Sequence, residues 1–429
     1  MVEYQNNPVE RAIVVHVNFT KHDDIADLNE FKELARSAGA NVVAELTANR
    51  PAPDVTYFIG SGKLEELQSA LAASEASVVL FNHALSPSQQ RNLENQLNCK
   101  VVDRTGLILD IFAQRAHTFE GKLQVELAQL QYMSTRLIRA WTHLERQKGG
   151  IGLRGPGETQ LEVDKRLIRN KINVIQKRLE KVRKSRALGR QGRKRSNITT
   201  ISLVGYTNAG KSTLFNHLTD SQVYAANQLF ATLDPTLRRI QIPHFGPVVL
   251  VDTVGFIRNL PHNLVEAFRA TLEETVEADL LLHVIDAHDP QHDLYIEQVN
   301  DVLKQIGADR KNVIEVYNKV DLLPNPEPRL ERDAEGKVRN VWLSAVSGKG
   351  IELLFKGIAA TLGNHIFDGV LTLGSDMGRL RAELYAHKCV KSETTTDTGE
   401  TQLQVLMPQA ELEEICRHAG IEVNTVKKE

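Results

Sequence analysis

Four short segments carry residue types whose spacing points to one kind of chemistry. Gly205, Tyr206, Thr207, Asn208, Ala209, Gly210, Lys211 and Ser212 follow an apolar run, Ile201–Val204, and open a stretch of helical character. That is the setting of a phosphate-binding loop. Glycines at both ends let the backbone wrap phosphates, and the N–H groups and the helix N-terminus bind their oxygens. Lys211 then reaches the β- and γ-phosphates, and the Ser212 hydroxyl ligates Mg²⁺. Forty residues beyond Ser212 stand Asp252, Thr253, Val254 and Gly255. There a strand-end carboxylate can hold Mg²⁺ through water, and the Gly255 N–H can sense a γ-phosphate. Sixty-six residues further, Asn318, Lys319, Val320 and Asp321 close another apolar strand. A carboxylate at Asp321 accepts both N1–H and N2–H₂ of guanine, which adenine cannot offer, while Lys319 can pack along the base. Ser344, Ala345 and Val346 follow the next strand, with the Ala345 N–H expected to meet guanine O6. Four motifs in this order, each at the carboxyl end of a strand, predict a guanine-nucleotide site in an α/β sheet.

A fifth element should lie between Ser212 and Asp252, supplying a hydroxyl to Mg²⁺ while the γ-phosphate is present and releasing it on hydrolysis. The polar-and-turn segment Leu229–Thr236 includes Phe230, Ala231, Thr232, Leu233 and Asp234, and either Thr232 or Thr236 could serve. Directly after Gly255 stands Phe256, where many GTPases place a water-orienting glutamine. A phenyl ring cannot orient water, so unassisted turnover is expected to be slow.

The strands that would carry these motifs are fully apolar: Ile201–Val204, Val248–Val251, Leu280–Ile285, Val313–Val316 and Val341–Leu343. Such runs predict a buried, mostly parallel sheet, and Leu237–Ile242 pairs with Val248–Val251 as one antiparallel edge. Residues 198–366 form this nucleotide-binding domain. Before it, residues 1–115 alternate strand-like and helical runs and read as a smaller α/β domain. There Gly60–Lys63 superficially resembles half a phosphate loop, although a plain strand-to-helix turn accounts for it.

Residues 116–188 read as two long helices in an antiparallel hairpin. Leu123, Leu127, Leu130, Ser134, Leu137, Trp141 and Leu144 step by fours and threes, as do Ile168, Ile172, Ile175, Leu179 and Val182. Between them, residues 149–157 hold five glycines in nine positions, which predicts a non-helical tip. Residues 189–197 read as a basic linker. Residues 370–429 read as a small α+β domain, with Leu380, Ala382 and Leu384, then Leu403, Val405 and Met407, alternating as strands do.

Composition sets the class. The 429 residues are 41% hydrophobic and 25% charged, too apolar for a chain disordered throughout. Three scattered cysteines write neither a disulfide framework nor a thiolate metal site, which fits a reducing compartment. The polar N-terminus and the short apolar runs predict neither export nor membrane insertion. A net charge of −2 conceals a strong asymmetry: from Lys165 to Arg195 there are 14 Lys/Arg and one acid, Glu180. That stretch suits a polyanionic partner.

With these residues in view, the chain resembles the HflX GTPases over nearly its whole length. The G-domain motifs GYTNAGKS, LFATLDPT, DTVGF, NKVD and SAVS are shared with many GTPases. The segment GGIGLRGPGETQLE, Gly149–Glu162, is what makes the likeness specific. The resemblance implies a cytoplasmic, partly ribosome-associated GTPase that binds GTP, GDP and Mg²⁺. It also implies binding to the large ribosomal subunit and its rRNA, and splitting of stalled ribosomes under stress. It favours Thr232 as the switch threonine and marks Gly149, Gly150, Gly152, Arg154, Gly155 and Gly157 as candidate ribosome contacts. Asn208 matches the P-loop asparagine that helps hold K⁺ in potassium-activated GTPases. No motif argues for a stable oligomer, so a monomer is expected. An rRNA-binding assembly or hibernation factor, in which GTP only sets affinity, is the alternative reading.

Overall fold

The computed structural model of the chain describes residues 10–19, 25–140, 160–195, 198–219, 229–230, 232–243, 245–258, 269–363, 366–374, 377–387, 389–395, 400–408, 412, 415–416 and 419. By contacts the chain divides into two compact units. The first comprises Met1–Gln191, Tyr224–Pro235 and Val254–Glu273; the second comprises Gly192–Val223, Thr236–Thr253 and Glu274–Glu429.

In the first unit, β1 (Arg11–Asn18), β2 (Asn41–Asn49), β3 (Val78–Phe81) and β4 (Lys100–Asp103) form a parallel sheet in the order β2-β1-β3-β4. The run Ala12–Val17 and all of β3 are buried, as strands covered on both faces must be. Helices Ile25–Ser37, Ser61–Ser74, Pro87–Leu97 and Arg104–Arg115 alternate with the strands. The third starts from a reciprocal Ser86–Gln89 capping box with proline in its first turn. Gly60 caps the second helix, and eleven residues separate β2 from it, so no strand feeds directly into Gly60–Lys63.

The helix Phe119–Ala140 follows in the same unit, as does the helix Gln160–Arg195 up to Gln191. Leu123, Leu127, Leu130 and Ile175 form a buried seam flanked by Ile168, Ile172 and Leu179, the residues the periodicity selects. The second helix has 36 residues and therefore spans about 54 Å. It continues through 189–195, where a linker was expected. Five of those seven residues are Arg, Lys or Gln, good helix formers that outweigh two glycines. The expected tip, residues 149–157, lies outside the described residues, as do Trp141 and Leu144.

The second unit is built on a seven-stranded sheet in the order β10-β11-β9-β8-β5-β7-β6. Its strands are β5 (Thr199–Gly205), β6 (Thr236–Ile242), β7 (Gly246–Asp252), β8 (Leu280–Asp286), β9 (Asn312–Asn318), β10 (Arg329–Arg332) and β11 (Val338–Trp342). The strands from β11 to β7 run parallel, and β6 pairs antiparallel with β7 as expected. A second antiparallel edge, β10 against β11, was not expected. Its sequence, RLER, lacks the continuous apolar run that marks the other strands. Ile201, Leu203, Leu282, Val284, Ile314 and Val316 anchor the core, with Leu354 and Ile358 of the helix Ile351–Leu362.

Beyond it, β12 (Ile366–Leu373), β13 (Val390–Thr395) and β14 (Thr401–Pro408) form an antiparallel sheet in the order β12-β14-β13. Leu403, Val405 and Met407 are buried on β14 as their alternation requires. Leu380, Ala382 and Leu384 are not in a strand but in the helix Gly378–Ala386. Over five residues a period of two also satisfies the i, i+4 spacing of Leu380 and Leu384, and both are fully buried.

Candidate nucleotide site

The loop Gly205–Gly210 connects β5 to the helix Lys211–Thr219, so its turn sits at the carboxyl edge of the second unit's sheet. Three of its positions take positive φ, Gly205 with 147°, Asn208 with 62° and Gly210 with 94°. Gly210 must be glycine for a second reason. A Cβ there would lie 2.2 Å from Nδ2 of Asn318. Lys211 is buried, and its Nζ donates to the Tyr206 carbonyl at 2.7 Å. Burial draws its pKa down to about 8, opposed by the charge of Asp252.

Asp252 ends β7 with no exposed surface, and the Ser212 hydroxyl donates to its Oδ2 at 2.8 Å. Next to it, the Thr253 hydroxyl donates to the Leu203 carbonyl at 2.6 Å. A hydroxyl and a carboxylate side by side at a helix N-terminus form a hard-oxygen donor pair suited to Mg²⁺. The Thr207 hydroxyl is buried in the same loop with no partner among the described residues, a polar atom that a bound phosphate would satisfy.

Asn318 joins three motifs. It is 2% exposed, its Nδ2 donates to the Ala209 carbonyl at 2.9 Å, and its Oδ1 accepts the Ala345 N–H at 2.9 Å. One amide thus ties the phosphate loop to the loop after β11. The Ala345 N–H expected at guanine O6 is therefore donated to Asn318 here, and the adjacent Val346 is 77% exposed. Lys319 takes left-handed backbone, and its Nζ pairs with Asp286 at 2.6 Å, which orients the stem that could lie along a base. The short helix Val320–Leu322 buries Val320 and leaves Asp321 exposed, and Ser344 is fully buried.

The other expected residues divide between the units. Thr236 is the first residue of β6, in register with Asp252. Thr232, Leu233 and Asp234 belong to the first unit, as do Val254 and Gly255, while Ala231 lies outside the described residues. Phe230 and Phe256 are buried, at 2% and 1% exposure, so the Phe256 ring is packed away from solvent.

Two residues that motif reading missed also contribute. Asp286 ends β8 and holds Lys319; an acid at a strand end was the only signal available. Tyr295, on the helix His292–Ile306, stacks on Tyr206 of the phosphate loop with ring centroids 4.1 Å apart. Helical periodicity alone gives that tyrosine no such role.

Comparison with known proteins covers nearly the whole chain. Four family models match in order: GTP-binding GTPase N-terminal over residues 26–113, GTP-binding GTPase Middle Region over 115–193, 50S ribosome-binding GTPase over 200–319 and HflX C-terminal domain over 329–429. The GTPase HflX of Escherichia coli K12 is 56% identical over 408 residues, covering 95% of this chain and 96% of its own. That of Magnetococcus marinus is 48% identical over 401 residues, 92% of each chain. Among solved structures, a GTP-binding protein from Sulfolobus solfataricus in complex with GDP is similar at 25% identity and a TM-score of 0.44. The match covers 82% of this chain and 99% of that one.

Proposed function

The chain belongs to the HflX family of GTPases, and from that premise we propose that it hydrolyses GTP on the large ribosomal subunit and uses the nucleotide to split or rescue stalled ribosomes under stress. The observation that carries the GTP reading is the Asn318 bridge, which holds the phosphate loop and the two base-side loops in one frame. In that frame Gly205–Ser212 wrap the phosphates, Lys211 neutralises them, and Asp321 selects guanine over adenine. Ser212 and Thr232, with Asp252 beside Ser212, would hold Mg²⁺, which when bound would neutralise charge developing on the phosphates. Gly255 offers its N–H to the γ-phosphate. Phe256 brings no group that could orient the attacking water, so hydrolysis is slow until the ribosome supplies that order.

K⁺ beside Asn208 is a further proposed contributor to transition-state charge; equal hydrolysis rates in Na⁺ and K⁺ would dismiss it. The basic helix Gln160–Arg195 supplies the electrostatic part of rRNA binding, and the tip residues Gly149, Gly150, Gly152, Arg154, Gly155 and Gly157 supply the specific part. The protein acts as a monomer in the cytoplasm. Among the described residues no helix is long and apolar enough to cross a membrane.

The test is sedimentation of intact ribosomes with the full chain and a non-hydrolysable GTP analogue. Free subunits support splitting. Co-sedimentation with intact ribosomes and no free subunits would replace it with a GTP-switched binding factor.

A further inference from the structure

The segment around Thr232 is fastened on both sides within the first unit. Before it, the Leu229 N–H donates to the Ser37 hydroxyl at 3.2 Å. Phe230 packs edge-on against Phe112 with centroids 4.6 Å apart. After it, Leu233 is buried, and Asp234 closes over the start of the helix Phe119–Ala140. Asp234 Oδ2 accepts the N–H groups of His117 and Thr118 at 3.0 and 2.9 Å, and Oδ1 accepts the Thr118 hydroxyl. That hydroxyl in turn accepts the Gly121 N–H at 2.9 Å, as the cap of the helix. A carboxylate satisfies donors that a helix start leaves open and meets the positive end of its dipole. The cradle is shaped for it: a Cβ on Gly121 would lie 2.1 Å from Asp234 Oδ1. Glycine in the first turn of a helix lowers its stability, so its presence calls for a reason, and the close approach of Asp234 supplies one.

We propose that Asp234 is a positioning residue. It ties Thr232, two residues away, to the N-terminus of the helix Phe119–Ala140, so that holding a γ-phosphate through Thr232 and ordering the start of the long helical hairpin become one event. The inference rests on the reading of Thr232 as the switch hydroxyl. Coupling of this kind is reciprocal: whatever orders the hairpin start strengthens GTP binding, and GTP orders the hairpin start. The physical origin is pre-organisation. With the chain anchored at Leu229, Phe230, Leu233 and Asp234, Thr232 loses little freedom on engaging the nucleotide, and a loosened segment loses more.

The experiment compares the full chain with Gly121→Ala, Asp234→Asn and Thr232→Ala, in Mg²⁺. It measures affinity for GDP and for a non-hydrolysable GTP analogue, and hydrogen exchange of the backbone over residues 117–125. Gly121→Ala favours helix in itself and alters no residue assigned to the nucleotide. It should lower analogue affinity about tenfold and leave GDP affinity within about twofold, because GDP makes no use of Thr232. In the unaltered chain, residues 117–125 should exchange more slowly with the analogue than with GDP, and both positioning variants should abolish that difference.

A merely structural contact would move both affinities together. If Thr232→Ala lowers the analogue-to-GDP ratio while Gly121→Ala and Asp234→Asn do not, the coupling is refuted and the switch reading stands. If none of the three changes the ratio, both are refuted.

Discussion

Replacing Asn318 by alanine should weaken the second unit before any nucleotide is added. Its side chain is 2% exposed and makes two bonds at 2.9 Å, one to the Ala209 carbonyl and one from the Ala345 N–H. Alanine leaves a buried acceptor and a buried donor without partners, each costing about 1–3 kcal/mol, or roughly 4 kcal/mol together. Asn318→Asp keeps the acceptor for Ala345 but turns a carboxylate oxygen toward the Ala209 carbonyl, so it should be at least as damaging. The chain has two tryptophans, and Trp342 lies on β11, two residues before Ser344. In a Trp141→Phe background, Trp342 fluorescence during urea unfolding therefore reports this unit alone. A nucleotide titration alongside should show GDP affinity falling by at least tenfold. If Asn318 served only to touch the base, GDP affinity would fall while the nucleotide-free unfolding midpoint stayed in place. A stability change below about 1 kcal/mol would refute the bridging argument.

Asp321→Asn inverts the hydrogen-bond partner at guanine N1, so GTP affinity should fall by orders of magnitude and xanthosine triphosphate should be preferred; unchanged GTP binding in a direct titration would remove the base assignment. Burial holds His83 of the first unit and His283 of the second near a pKa of about 4, with His16 and Lys211 adding to the effect in turn. Because these folded-state values lie below the usual 6.5, the stability involved is fully present above pH 6.5. It should be lost as pH falls toward 4, by at most about 3 kcal/mol per histidine. Urea unfolding at pH 7.5 and 5.0 checks this, and His283→Gln should flatten the slope for the second unit only. Replacing Gly149–Gly157 with a short neutral loop should preserve nucleotide affinity and basal hydrolysis but abolish subunit release in ribosome sedimentation. Residual ribosome binding should decline with added salt through the Lys165–Arg195 charges; splitting at the unaltered rate would make the segment a mere connector.

The candidate phosphate loop was legible in the sequence because its geometry is local. A phosphate loop needs its glycines, Lys211 and Ser212 within eight positions, and fully apolar strands mark the sheet edge that presents them. What stayed hidden depends on contacts distant in sequence. Asp286 meets Lys319 across 33 positions, Tyr295 stacks on Tyr206 across 89, and Gly121 admits Asp234 across 113. Local pattern misled where two periods fitted the same few residues, as at Leu380–Leu384, where an edge strand such as Arg329–Arg332 had few apolar residues to show, and where two glycines suggested a linker at 189–195 that is helix.

The two segments expected to sense a γ-phosphate are each fastened within the first unit. The phosphate loop, Asp252 and Asn318 belong to the second unit, whereas Thr232 and Gly255, the residues expected to sense the γ-phosphate, belong to the first. Within the first unit the second sensor segment is held as firmly as the first. The Arg258 carbonyl accepts from Nη2 of Arg104 at 2.8 Å, and that guanidinium is itself buried between Asp27 and Glu30. Loops held this way cannot rearrange alone. A shift of Thr232 strains the Asp234 cap, and a shift of Gly255 strains the Arg104 bond three residues on. Both segments that carry the expected sensors are thus held inside the first unit by contacts that no local motif records, Asp234 on the helix start at Thr118 and the Arg258 carbonyl on Arg104.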